Sequence, residues 1–112
     1  MAYGRGGGMG GGMQNLMKQA QKMQEEMQAT EKLLEEWEIV GTSGGEAVVV
    51  YMNAKKKIDG IEIDKEVIDP EDGEMLEDLV LAAILDGYKK ADAVYEEKMS
   101  KFAGLGGMGG LL

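Results

Sequence analysis

Apolar or small residues fall at Met13, Leu16, Ala20, Met23, Met27, Thr30, Leu34 and Trp37, in steps that alternate three and four. A chain turning once per 3.6 residues brings all of these to one face. Gln, Glu and Lys, which favour helices, fill most of the positions between them. The spacing therefore predicts one long helix over Met13–Glu36 with a continuous packing seam. Methionine dominates the seam, and its flexible thioether adapts to several partners while specifying packing weakly.

The period changes after Glu36. Glu38–Thr42 mixes branched residues with a glycine, and Ser43-Gly44-Gly45 signals a turn. Ala47–Met52 (AVVVYM) is an apolar run with three consecutive valines, which favours a strand covered on both faces. Lys55-Lys56-Lys57 marks the next turn. Beyond it Ile58, Ile61 and Ile63 alternate with Glu62, Asp64 and Glu66 as a half-buried strand. Asp69-Pro70-Glu71-Asp72 has the makings of a helix start, with Asp69 as cap and Pro70 in the first position. A second helix is expected over Pro70–Phe102, its apolar face carrying Leu76, Leu79, Val80, Ala83, Ile84, Gly87, Ala91, Val94 and Tyr95. Gly87 is read as a point of close helix contact or a bend, and Gly104 as a stop.

The expected architecture is α+β: a long helix, a three-stranded antiparallel sheet and a second long helix. Residues 13–103 form the domain, between a flexible glycine-rich arm (1–12) and a glycine-rich tail (104–112). Helices longer than the sheet is wide are expected to project beyond it. If both lie on one sheet face in opposite directions, the start of the first and the end of the second emerge together. The sheet face left open is apolar through its middle strand, and a second copy is the simplest cover, which predicts a homodimer.

The 112 residues suit one small domain. No cysteine or histidine is present, which removes disulfides, thiol nucleophiles, the usual neutral-pH acid–base group and common zinc sites. The carboxylates between Asp59 and Asp78 lack the spacing of a calcium loop, and DPEDGEMLED reads as helix capping and a solvated face. MAYGRGGGMGGG lacks the Gly-Lys-Ser/Thr of a phosphate loop and the apolar run of a signal peptide. No apolar stretch is long enough for a membrane span. No metal, cofactor, small-molecule substrate or catalytic residue is therefore expected.

Charge alters this picture. The net charge is -9, yet the first twenty-four residues hold Arg5, Lys18 and Lys22 and no acid. Glu25 to Asp86 holds eighteen acids against five bases, and from Gly87 onward four lysines, Lys89, Lys90, Lys98 and Lys101, face three acids. An acidic body with basic ends can hold a polyanion at the ends and repel it elsewhere. Candidate phosphate contacts are Lys18 and Lys22, an i, i+4 pair, with Lys89, Lys90, Lys98, Lys101 and Arg5. Gln14 and its neighbours Asn15, Gln19 and Gln21 add neutral hydrogen bonds. The competing reading is a solvated face, with Lys18 or Lys22 paired to Glu25 and Glu26. Lys55–Lys57 solubilises a turn or touches phosphate, and Trp37 reads as a packing anchor.

MQNLMKQAQKMQEEMQ in the first helix, TSGGEAVVVYMNAKKKI across the turns, and IDPEDGEMLEDLVLAAILDGYKKADAVYEEKM resemble the YbaB/EbfC family of nucleoid-associated proteins. The resemblance spans almost all of Met13–Phe102. It implies a small cytoplasmic, nucleoid-associated homodimer whose helical arms bind double-stranded DNA, with roles in nucleoid organisation and gene regulation. Family contacts on projecting helices carry over to Lys18, Lys22, Lys89 and Lys90, and more weakly to Lys98 and Lys101. The acidic stretch Glu62–Asp78 and the scarcity of arginine depart from strong DNA binding. A helix–hairpin–helix with a Met-lined surface also fits a prefoldin-like protein-binding or holdase module.

Overall fold

The computed structural model describes the backbone of residues 2–103 and the side chains of residues 12–103. Helix α1 (Ala2–Glu36) leads into strands β1 (Glu38–Ser43), β2 (Val48–Asn53) and β3 (Ile58–Ile63), and helix α2 (Gly73–Met99) closes the chain with a 3-10 turn over Ser100–Phe102. The α+β class and the order expected from the sequence are those observed. α1 takes in the backbone of the glycine-rich segment ahead of Met13. The tail from Gly104, including the expected stop, lies outside the described residues.

The strands form a meander in the order β1-β2-β3, antiparallel throughout. Ile39 lies opposite Met52, Gly41 opposite Val50 and Ser43 opposite Val48, and these residues share the face beneath α2. Val48, Val50 and Met52 are buried there, whereas Val49 and Tyr51 are only half-buried on the other face. Within one chain β2 is thus covered on the α2 side, and its other face is the one for which a second copy is the expected cover. β3 carries a bulge where the register shifts between Tyr51 and Met52, leaving Asp59 without an opposite residue.

Both turns have chemical causes. Gly44 and Gly45 take positive φ (59° and 65°), and Glu46 joins them at 72°. In the second turn the Asn53 Oδ1 accepts from the backbone N–H groups of Lys55 and Lys57, each at 2.9 Å, and holds Lys56 at φ 69°.

The start of α2 corrects the sequence expectation by three residues. Asp69 closes a turn: its carbonyl accepts from Asp72 N at 3.0 Å and its carboxylate from Glu71 N at 2.9 Å. Asp72 then caps the helix, accepting from Met75 N at 3.2 Å. Ala83, Gly87 and Ala91, spaced by four, are the buried residues of α2. They let it lie directly on β1: a Cβ on Gly41 would overlap the Ala83 carbonyl and the Gly87 nitrogen, and one on Gly87 would overlap Met52. Gly87 therefore marks close contact. The core joins Leu34, Ile39, Val48, Val50, Met52, Ala54, Ala83 and Ala91, flanked by Trp37, Val94 and Met99.

Candidate nucleic-acid interface

α1 enters this core only at its C-terminal end. Leu34 is fully buried, and its carbonyl accepts from Ala54 N at 3.1 Å. Met27 and Thr30 are half-buried, and every described residue from Gly12 to Glu26 is exposed. About fifteen residues, roughly 22 Å of helix at 1.5 Å per residue, stand clear of the sheet and of α2. This free stretch is two-faced. Met13, Leu16, Ala20 and Met23 continue the seam that Leu34 buries further along. Lys18 and Lys22 fall close to the opposite side at 100° per residue. Met13, Leu16 and Met17 are 63%, 66% and 69% exposed, a long apolar stripe without cover among the described residues.

The two basic ends do not come together within one chain, contrary to the geometry expected from helix lengths. α2 runs back along β1, with Leu79 near Ser43, Asp86 near Thr42 and Lys90 near Val40, and its last turns reach Trp37, where Lys98 Nζ lies 5.1 Å from the ring centre. α2 therefore ends beside the end of α1. Lys18 lies roughly 28 Å along the helix from Trp37, counting nineteen residues at 1.5 Å. α1 does not lie flat on the sheet, so the two helices share a short crossing instead of a common tip.

The candidate cations consequently fall into three groups. Gln14, Lys18 and Lys22 sit on the free stretch of α1, and among the described residues no ion pair engages either lysine. Pairing with Glu25 or Glu26 is not seen. Arg5 lies on the backbone of α1, outside the described side chains. Lys89 and Lys90 lie mid-α2: Lys89 is exposed, while Lys90 Nζ bonds Asp86 Oδ2 at 2.9 Å and the Val40 carbonyl at 3.1 Å. Lys98 and Lys101 form the third group, each set over an aromatic ring, Trp37 and Phe102 respectively, at 5.1 Å. In the lysine triplet, Lys55 reaches Glu35 at 3.5 Å and Lys56 reaches Asp92 at 2.6 Å, so two of its three charges are met locally.

Asp86 is the residue that sequence reasoning passed over. Its carboxylate accepts from Thr42 N at 2.9 Å, and that bond, followed by the one from Lys90, holds its pKa below the usual carboxylate value. The i, i+4 spacing of Asp86 and Lys90 was the available signal. No His, Cys, Asp and Glu cluster suited to a metal occurs among the described residues, and no helix among them is long and apolar enough to cross a membrane.

The model of the YbaB/EbfC DNA-binding family matches residues 9–108. The chain belongs to that family. Nucleoid-associated proteins are among its relatives: one from Caldicellulosiruptor saccharolyticus is 48% identical over 69 residues, 62% of this chain and 61% of the relative. One from Bacillus licheniformis is 51% identical over 72 residues, 64% and 63% of the two chains, and one from Clostridium perfringens 48% over 78 residues, 70% of each. The matched stretch thus spans somewhat under two thirds of the first two relatives. In three dimensions the chain is similar to an uncharacterized protein from Helicobacter pylori, with a TM-score of 0.69 over 79% of this chain and 92% of that one. At 23% identity, that likeness concerns the fold. In this family member, the part of α1 that stands clear of the body carries Lys18 and Lys22 and no acid before Glu25.

Proposed function

We propose that this chain is a non-enzymatic, nucleoid-associated protein that binds double-stranded DNA as a homodimer through the free stretch of α1. One observation carries this reading: Lys18 and Lys22 project from an isolated helix, one turn apart on one side, in a segment without a single carboxylate before Glu25. The acidic body of this chain, whose overall net charge is -9, repels phosphate. A cationic rod held away from that body keeps its field, since at physiological salt charges beyond about 8 Å are largely screened. Gln14 adds a neutral donor and acceptor on the same helix. Lys89, exposed on α2, is a second contact point.

A homodimer is favoured by apolar surface left open beside β3 and α2. Ile61 is 46% exposed and Leu81 and Leu85 are each 56% exposed. Beside them, Ile63, Leu76, Val80 and Ile84 line an open groove. A second copy placed there covers this surface and doubles the number of arms, so weak phosphate contacts act together. Such a protein coats or organises DNA in the cytoplasm and influences gene expression through occupancy.

The test is a titration of random-sequence duplex at several salt concentrations with Lys18→Glu/Lys22→Glu. Loss of shift and a flatter salt dependence support the assignment, and unchanged binding overturns it. The bare Met13–Met23 stripe favours a second reading, a holdase. Suppressed aggregation of an unfolded client, with no DNA shift from the wild-type chain, would select it.

A further inference from the structure

Among the described residues β1 is an edge strand, hydrogen-bonded to β2 alone. An edge offers unpaired N–H and C=O groups to any incoming strand, and proteins defend such edges with charges, bulges or covering groups. β3, the other edge, has a bulge at Asp59 and the acids Glu62 and Asp64 along it or just beyond. β1 has neither device: Glu38-Ile39-Val40-Gly41-Thr42-Ser43 pairs without interruption and carries one charge, at its first residue. Two of its outward groups, one N–H and one C=O, are instead taken by side chains of α2. Asp86 Oδ2 accepts from Thr42 N at 2.9 Å, and Lys90 Nζ donates to the Val40 carbonyl at 3.1 Å. The two side chains, one turn apart, also bond each other at 2.9 Å.

We propose that Asp86 and Lys90 form a lock that holds shut the outer edge of β1, a latent strand-acceptor surface whose occupant, once the lock is removed, is β1 of a second copy. Both polarities of backbone group are blocked at once, as exclusion of an incoming strand requires. Self-pairing is the alternative being excluded. An antiparallel second β1 centred on Gly41 sets Val40 beside Thr42 and Ile39 beside Ser43, with no like charges opposed. The lock also gives Lys90 a role apart from DNA: its ammonium is held by two oxygens on the body, well away from the free stretch of α1. This inference does not depend on DNA binding.

The experiment is sedimentation of Asp86→Ala/Lys90→Ala over a hundredfold concentration range, with hydrogen exchange at the Thr42 amide. Opening of the edge gives species of at least twice the wild-type mass, growing with concentration, in which the Thr42 amide stays protected. Wild-type mass at every concentration, with a fast-exchanging Thr42 amide, overturns the proposal, because the edge is then open and unused. Lys90→Met, which frees only the Val40 carbonyl and keeps a helix-favouring side chain, repeats the measurement should the double variant lose its helical circular dichroism. Its mass must likewise rise, or the lock is refuted. The Lys18→Glu/Lys22→Glu protein, whose lock is intact, keeps the wild-type mass in the same sedimentation series, so failure of the lock and failure of the arm assignment are read from different data.

Discussion

Replacing Lys18 and Lys22 by alanine removes two charges from each arm while keeping a strong helix former at both positions. In the proposed homodimer that is four cations. Each phosphate neutralised on B-DNA contributes roughly 0.9 to the slope of log affinity against log salt. Between about 50 and about 200 mM salt, one such contact weakens binding roughly 3.5-fold and four weaken it roughly 150-fold. The variant should therefore bind more weakly at low salt but lose roughly 150-fold less than the wild type over that interval, its slope falling by about 3.6. Because Lys18 and Lys22 are exposed and lie outside the core, stability and helix content should not change. Fluorescence anisotropy with a labelled random duplex at four or five salt concentrations measures the slope directly. An unchanged slope, whatever the change in affinity, would refute the idea that these two lysines meet phosphate.

Three further outcomes follow from the packing and electrostatics. Gly41→Ala pushes a methyl group into the α2 backbone at Ala83 and Gly87; neither can yield as a flexible side chain would, so urea unfolding should show a loss of about 3 kcal/mol, at the upper end for overpacking. Leu81→Glu/Leu85→Glu should turn the proposed homodimer into folded monomers by sedimentation and weaken DNA binding with it, whereas a retained dimer would place the interface elsewhere. Asp86 has a folded pKa depressed first by the Thr42 N–H and then by Lys90. Its contribution to stability is therefore present above the unfolded carboxylate value of about 3.9 and is lost as pH falls through the lower folded value. Unfolding curves should show the wild type more stable than Asp86→Asn above that range, the gap closing toward pH 2.

The sequence alone determined the order of elements. A three–four alternation from Met13 to Leu34 leaves a helix as the only shape that puts those side chains together, and AVVVYM between two turn signals leaves a strand. Helix α2 was placed correctly in kind, but its first residue was not. Asp69 and Asp72 are both competent caps, and the choice between them rests on whether the chain closes a turn at Asp69. The same limit applies to Gly87. Its missing side chain was legible, while the space that Met52 takes beside it, and its close approach to Gly41 forty-six positions away in the sequence, depend on a helix crossing the sheet.

The candidate site was legible as a charge pattern and not as a surface. That Lys18 and Lys22 have no acid near them in the chain is a property of the sequence, and so is their place opposite the apolar seam. Which lysines remain available is a property of the fold. Lys90 is taken by Asp86 and Val40, Lys98 lies over Trp37, and Lys55 and Lys56 have carboxylate partners brought from α1 and α2. Tertiary structure alone also decided that the helix ends part company, because only α2 finds small residues with which to lie on β1, and α1 is left to extend into solvent. Local spacing fixes which way a side chain points along its own element; which partners wait there depends on contacts between segments far apart in the chain.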